Sequence, residues 1–524
     1  MQSRCAISCL FGAVERNQAS KCNARNKEHR ICIMSVERAS RPKGLVRNYL
    51  LNAAGAGLPV VVTLFVLPIY ISKIGADRYG MLSLIWVLVG YVGFLDFGLS
   101  RASANALSRL ASAGPDERVP VLLSSFYLNL ALGVAGAVII YVAGHVVLLH
   151  SELVGAQFKS EIIEALPWVA LMLPLNMLAG VGTGALESRE RFLESNIFST
   201  VNGVLGQVLP LCGALIFGPA LSVLVLATFL SRTFTAFCVL SYVHYTERPI
   251  SFRTYGKSHA KALLGYGAWV SVTSVISPLL DTADQLIIGK LLGPSAVAHY
   301  SVPMNMATRS QILAFALAKT VFPRLSNLAD VDAKALASRA TVTLSYGFAL
   351  VCVPAILLSR PFLSLWLGEE FARFSAPIAP FLIFGAWING VAFIPFTFLQ
   401  SRGRPDLTAK VHIYEIVPFL VSVWLFSEWL GLVGAALAWT LRVTIDFLAL
   451  LAVGKIDRSI WCKLTPSTSI MVASCLTTMF VGDSNTSAVL FALLFGAVLA
   501  GSALAWDKQF RALLLARVPV VRSG

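Results

Sequence analysis

From Leu45 onward the chain is a succession of apolar runs, each bounded by a few polar residues. Fourteen can be marked, at 46–72, 79–106, 120–146, 165–186, 197–217, 220–243, 263–289, 296–318, 340–360, 376–400, 409–429, 431–453, 466–482 and 487–506. A helix needs about 20 apolar residues to cross a bilayer, so runs of this length read as crossings. In lipid every backbone polar group must be satisfied within the protein, which leaves helices or closed barrels, and runs of this length exclude barrel strands. The fold class expected is therefore an all-α polytopic membrane protein with about 14 transmembrane helices. The runs 197–217 and 220–243, and again 409–429 and 431–453, have almost no residues between them and must be tight antiparallel hairpins. Of the 524 residues 56% are hydrophobic and only 13% charged, with a mean hydropathy of +0.74, whereas soluble domains are about a quarter charged. No long polar block interrupts the runs, which leaves no room for a soluble catalytic domain.

The first two spans, between Leu45 and Ala111, enclose the turn KIGADRYG. The first carries Gly55, Gly57, Pro59 and Pro68, and proline removes a backbone donor and kinks a helix. The second carries Asp96 and then Arg101. A bent helix beside a helix with buried charge reads as the wall of a cavity rather than as a plain anchor.

Charge sets the expected orientation. With the N-terminus inside, the internal segments hold 32 Lys and Arg and the external turns hold 6, the latter being Lys73, Arg78, Lys159, Lys290, Arg360 and Arg373. That is the positive-inside bias, with both termini cytoplasmic, and it accounts for the net charge of +15 without a nucleic-acid partner. Residues 1–44 are basic and unpatterned, and read as a cytoplasmic extension without a signal peptide; Met34 is a natural start, so residues 1–33 are read as disordered or as a start-site artefact. Cys5, Cys9, Cys22, His29 and Cys32 in that leader match no metal-ligand spacing. The nine cysteines form no disulfide framework, and no nucleotide-binding, hydrolytic or zinc motif is present, so neither a cofactor nor ATP hydrolysis is expected.

An internal repeat is visible. Span 1, its turn and span 2 resemble span 7, the turn LLGPSAVAHYS and span 8, and each turn pairs a glycine with a tyrosine, Gly75 with Tyr79 and Gly293 with Tyr300. The last hairpins of the two halves match loosely as well, each with an arginine, Arg232 or Arg442, about halfway along its second helix. Six spans per half is an even number, so the halves share one orientation, and transporters of that plan bind substrate between them. The expected division is an N-lobe at 45–245, a cytoplasmic linker at 246–262, a C-lobe at 263–453, spans 13 and 14 within 454–506, and a cytoplasmic tail at 507–524.

The segments IGADRYGMLSL, DFGLSRASANAL, LLGPSAVAHYSVP, VFPRLSNL and LWLGEEFARFSAPIAP resemble those of the polysaccharide-biosynthesis flippases, within the multidrug/oligosaccharidyl-lipid/polysaccharide exporter superfamily, and the resemblance extends over 45–453. It implies two six-helix lobes in a V-shaped bundle whose central cavity opens alternately to each side. It also implies an undecaprenyl-pyrophosphate-linked oligosaccharide as substrate, carried to the outer leaflet of the cytoplasmic (inner) membrane for O-antigen, capsule or exopolysaccharide. The partners it implies are membrane lipids and, beyond them, a polysaccharide polymerase and export machinery.

An ionised side chain at the bilayer centre costs about 2.5–3.5 kcal/mol on insertion scales and needs a reason. Arg232, Arg309 and Arg442 fall near the middle of spans 6, 8 and 12. Guanidinium binds phosphate oxygens in bidentate fashion, so these residues are candidates to hold a diphosphate in a cavity. The plain alternative is that each closes the bundle by pairing with a carboxylate. Asp446, one turn from Arg442 on the same face, makes that alternative equally good for Arg442. Arg101 joins them as a candidate, although it sits where an arginine can simply snorkel to the interface. Asp281 and Asp284 share a face of span 7 and read either as an ion-coupling pair or as partners for Arg309; Asp96 and Asp446 belong to the same group. Glu187, Arg189, Glu190 and Arg191 read as a solvated cytoplasmic loop. Spans 13 and 14 read as an accessory hairpin or as a groove for a lipid tail.

Two other assignments compete. One is another exporter of the superfamily, a peptidoglycan-precursor flippase or a drug/cation antiporter, the latter disfavoured by a cationic cavity. The other is a membrane glycosyltransferase or polymerase, disfavoured because the longest external loop, 147–164, offers only Glu152, Glu161 and Glu164 without the organisation of an active site.

Overall fold

The computed structural model describes residues 42–92, 114–150, 156–189, 191–247, 282–457, 459–480 and 485–506, together with Ser103, Leu107, Leu110 and Leu280. Among them there are helices and turns but no strand. The helices are α1 (Pro42–Val92), α2 (Pro115–His150), α3 (Ala156–Glu187), α4 (Phe192–Phe217), α5 (Leu221–Glu247), α6 (Pro294–Arg309), α7 (Ile312–Asn327), α8 (Asp330–Leu357), α9 (Ser359–Leu367), α10 (Glu369–Ser375), α11 (Ala379–Ser401), α12 (Pro405–Val453), α13 (Ile460–Phe480) and α14 (Asn485–Trp506). A further helical stretch covers 282–292. Nine of the described helices are long and apolar enough to cross a membrane.

α1 and α12 are each two antiparallel helices. They fold back at Gly75 (φ 80°, ψ 163°) and Gly431 (φ 60°, ψ −137°), a backbone open to glycine because no Cβ meets the carbonyl. The expected hairpin at 430–431 therefore forms, and so does that at 218–220, where α4 ends at Phe217, Gly218 turns at φ 102° and α5 begins at Leu221 to pack on α4. Span 8 departs from the single helix expected of it. α6 stops at Arg309 and α7 begins at Ile312. The hydroxyls of Thr308 and Ser310 donate to the carbonyls of Met304 and Ala307, competing for helical acceptors. The Gln311 amide turns away to donate to the Ala386 carbonyl of α11 at 3.1 Å.

Two cores form. One, from Val66 to Val225, joins α1, α3, α4 and α5 and also takes in Ala298, Val302 and Phe371. The other runs from Leu280 to Ala503 around the deeply buried α8 and α11. α13 and α14 pack on α8, where Ser467 and Ser345 share a hydrogen bond of 3.2 Å and the Tyr346 hydroxyl donates to the Lys463 carbonyl. Because lipid tails are as apolar as these side chains, packing and satisfied polar groups hold such a bundle rather than water exclusion.

Glu187 and Arg189 are not simply solvated, while Glu190 lies outside the described residues. Arg189 pairs with Glu247 through Nε and Nη2 at 2.8 and 2.9 Å, and Arg118, 1% exposed, reaches the same carboxylate at 2.9 Å. Arg118 also donates to the carbonyls of Leu107 and Leu110 and to Ser188 Oγ. One carboxylate at the end of α5 thus holds arginines from α2 and from just beyond α3, and Arg118 adds the carbonyls of Leu107 and Leu110. The partners lie far apart in sequence, so a local reading of the loop had no access to them. Glu187 accepts from Ser195 Oγ at 2.9 Å, bridging α3 to α4.

Candidate cavity between the helix groups

A cavity of about 900 Å³ lies where the two groups meet. Its walls come from both halves of α1, from α4 and α5 on one side, and from 282–292, α6 and α9 on the other. Arg232 of α5 and Arg309 at the end of α6 both line it, and they are the charged residues among its described lining. The Arg232 Nη1 donates to Asn176 Oδ1 at 2.7 Å. Among the described residues no carboxylate lies at ion-pair distance from either guanidinium. Around them stand the carboxamides of Asn202, Gln207, Gln285 and Asn305 and the rings of Tyr70, Tyr79, Trp86 and Trp366. The two guanidinium groups give this wall a positive charge, set among carboxamides and aromatic faces.

The prolines of α1 shape this wall. Thr63 Oγ1 donates to the Pro59 carbonyl at 2.7 Å, and Gln207 of α4 donates to the same oxygen at 3.3 Å. Pro68 has no N–H, so the Leu64 carbonyl four residues earlier lacks its helical donor. Trp366 Nε1 supplies one from the other group, at 2.6 Å. Above this bond the groups touch closely. A Cβ on Gly80 would stand 1.7 Å from the Pro294 carbonyl oxygen, so only glycine fits between α1 and the start of α6. Both contacts lie toward the end of the bundle that carries the Gly75 turn.

The remaining candidates fall elsewhere. Arg442 is not in the cavity lining. It is buried in the second group, with Nε 3.5 Å from Glu415 Oε2, Nη1 donating to the Leu280 carbonyl at 3.2 Å, and its guanidinium 5.5 Å from the Phe419 ring centre. Asp446 lies 3.4 Å from His412 Nε2 and faces Glu415. Asp284 is fully buried and accepts from the Tyr300 hydroxyl at 2.6 Å and from the Gln285 N–H. Asp96, Arg101 and Asp281 lie outside the described residues. The carboxamides of the cavity, the tryptophans and Glu415 were not singled out in the sequence. The intramembrane cost that marks arginine applies to Asn, Gln and Glu as well, and would have found them.

The sequence profile of the polysaccharide biosynthesis protein family matches residues 74–376, more than half of the chain. The putative O-antigen transporter of Shigella flexneri is 27% identical over 414 residues, covering 78% of this chain and 96% of that protein. The probable low-salt glycan biosynthesis flippase Agl15 of Haloferax volcanii is 22% identical over 409 residues, covering 76% of this chain and 80% of that one. Among solved structures, lipid II flippase MurJ in its inward closed conformation aligns with a TM-score of 0.70 over 89% of this chain and 100% of that chain, at 13% identity, a likeness of fold. An inward-facing MATE multidrug resistance transporter aligns at 0.62 over 79% and 99%, at 15% identity. The two-group helical architecture is thus shared with polytopic transporters, and by its own sequence this chain belongs to the polysaccharide biosynthesis protein family.

Proposed function

We propose that the chain is a flippase that carries an undecaprenyl-pyrophosphate-linked oligosaccharide from the inner to the outer leaflet of the cytoplasmic membrane, for O-antigen, capsule or exopolysaccharide synthesis. The observation that carries this is the joint placement of Arg232 and Arg309 in one cavity with no carboxylate in its described lining. The diphosphate sits at the guanidinium groups, and the sugars lie among the carboxamides and rings. The names borne by the Shigella and Haloferax relatives, transporter and flippase, support the same assignment. The protein moves its substrate and does no covalent chemistry on it.

The two helix groups act as lobes at 45–245 and 263–453, joined by 246–262, with 454–506 as an appended hairpin. Both termini face the cytoplasm, following the 32 to 6 partition of basic residues. The Gly75 end is then periplasmic. The contacts of Gly80 with Pro294 and of Trp366 with Leu64 close it, so the cavity addresses the cytoplasmic side, and rocking of one lobe against the other opens the periplasmic side in turn.

The test is the leaflet on which complete repeat units collect in a strain lacking the protein. Accumulation on the cytoplasmic face is the expected result. Complete units reaching the periplasm without being polymerised would instead assign the protein to a step after flipping.

A further inference from the structure

Buried and half-buried arginines elsewhere in this chain meet carboxylates. Arg78 pairs with Glu161 at 3.0 Å, Arg118 and Arg189 pair with Glu247 at 2.9 and 2.8 Å, and Arg442 pairs with Glu415 at 3.5 Å. Arg232 departs from that pattern. The internal repeat matches it to Arg442, yet the side chain it meets is a carboxamide, with Nη1 donating to Asn176 Oδ1 at 2.7 Å. A guanidinium only donates, so Asn176 must present its oxygen.

Asn176 belongs to α3 and is not among the described lining of the cavity, so it stands behind Arg232 rather than beside a ligand. Its mounting is firm. Leu173 and Met177, before and after it along α3, are 0% and 2% exposed. α3 and α5 pack closely on both sides of the bond. Toward one end the Trp168 and Phe229 ring centres are 5.3 Å apart, and toward the other a Cβ on Gly182 would meet the Val239 methyl groups at 3.3 Å. An amide oxygen and a carboxylate oxygen can hold a guanidinium N–H in the same geometry, but they differ in what they leave. The carboxylate cancels the charge of the arginine, and the amide leaves it whole. The bond to Asn176 takes up one end of the guanidinium and leaves its other N–H groups for a bidentate grip on phosphate. An arginine without a brace would keep its charge but would lose side-chain freedom on binding.

We propose that Asn176 is a positioning residue for the anion site: it fixes the Arg232 guanidinium from outside the cavity and, being neutral, leaves its charge to the ligand. This rests on the reading of the cavity as the place where a diphosphate is held.

The experiment compares wild type with Asn176→Asp and Asn176→Leu, in the full chain in detergent, by two readouts. The first needs no substrate. A reporter cysteine, Asn202→Cys, sits in the cavity wall opposite α5, where the parent Asn202 Oδ1 accepts from Thr235, one turn from Arg232. It reacts with an anionic and with a neutral methanethiosulfonate of similar size, and mass spectrometry of that peptide gives the ratio of the two rates. Asn176→Asp is expected to lower the ratio about three-fold or more, as cancelling one nearby charge in a wet cavity would, and Asn176→Leu to leave it unchanged. The second readout, without the reporter, is the affinity for undecaprenyl pyrophosphate. Asn176→Asp is expected to weaken it about ten-fold or more while the thermal midpoint does not fall, and Asn176→Leu to weaken it less. A brace that serves only the fold predicts the opposite order, because aspartate holds arginine more strongly than asparagine does. A wild-type rate ratio and affinity in Asn176→Asp would overturn the proposal. Wild-type affinity in Asn176→Leu would do so as well, and that variant carries the test if the aspartate variant does not fold. If wild type binds no undecaprenyl pyrophosphate while the ratio still falls in Asn176→Asp, the flippase assignment fails and the charge-preserving role of Asn176 stands.

Discussion

Arg232 and Arg309 are a matched pair in position but not in attachment. Arg232 is braced by Asn176 at 2.7 Å, while Arg309 closes α6 with its guanidinium turned to the cavity. A hydrogen bond to a charged group is worth about 1.5–3 kcal/mol, so Arg232→Ala and Arg309→Ala are each expected to lower transport by roughly 10- to 150-fold while the protein still reaches the membrane. Lysine keeps the charge but not the fork, so Arg309→Lys is expected to fall between alanine and wild type. Repeat-unit flipping in vesicles, scaled to the protein inserted, checks all three, and wild-type rates in the alanine variants would remove both residues from the site. These arginines were legible in the sequence because charge at mid-membrane is costly enough to stand out. The pairing of Arg442 with Glu415 was not, because the two meet across 27 residues and only once the chain doubles back at Gly431.

At the scale of elements, proline and glycine were the readable signs. Pro59 and Pro68 marked the disturbed wall, and the missing loops marked the hairpins at Gly218 and Gly431. The break between α6 and α7 carried no proline of its own. It follows from hydroxyls at 308 and 310 and from a glutamine satisfied by another helix, a circumstance that exists only in the assembled bundle. The same holds for the clasp around Glu247. Breaking a buried ion pair from one side leaves charge uncompensated and costs about 3–5 kcal/mol. Glu247→Gln strands both Arg118 and Arg189 and is expected to lower the thermal midpoint sharply. Glu369→Gln, which removes an exposed pair with Arg360, is expected to cost under about 1 kcal/mol. Thermal unfolding of the two variants in the same detergent makes the comparison, and equal shifts would count against the clasp.

For the whole molecule, the spacing of the runs and the halved pattern of turns already described a two-part helical bundle, and the outcome is that bundle with its parts in contact at one end. What the runs could not convey is how closely the parts approach. A methyl group at Gly80 would overlap the Pro294 carbonyl, at 1.7 Å. Gly80→Ala is therefore expected to fold but to hold the Gly75 end apart. A cysteine placed at Ser83, in the cavity lining just beyond this contact, is expected to react faster with a membrane-impermeant thiol reagent added outside in Gly80→Ala than in the parent. An unchanged rate would mean that the approach is relieved locally.

The indole of Trp366 has a consequence for how the passage fills. The Leu64 carbonyl, orphaned by Pro68, takes its donor from the opposite lobe. When the lobes part at that end, this bond breaks and the oxygen must find another donor in surroundings where hydrocarbon offers none. Water is the one that can arrive. Separation and wetting are then a single event, and the lobes cannot draw apart dry: the route to the outer leaflet hydrates from the moment it begins to form.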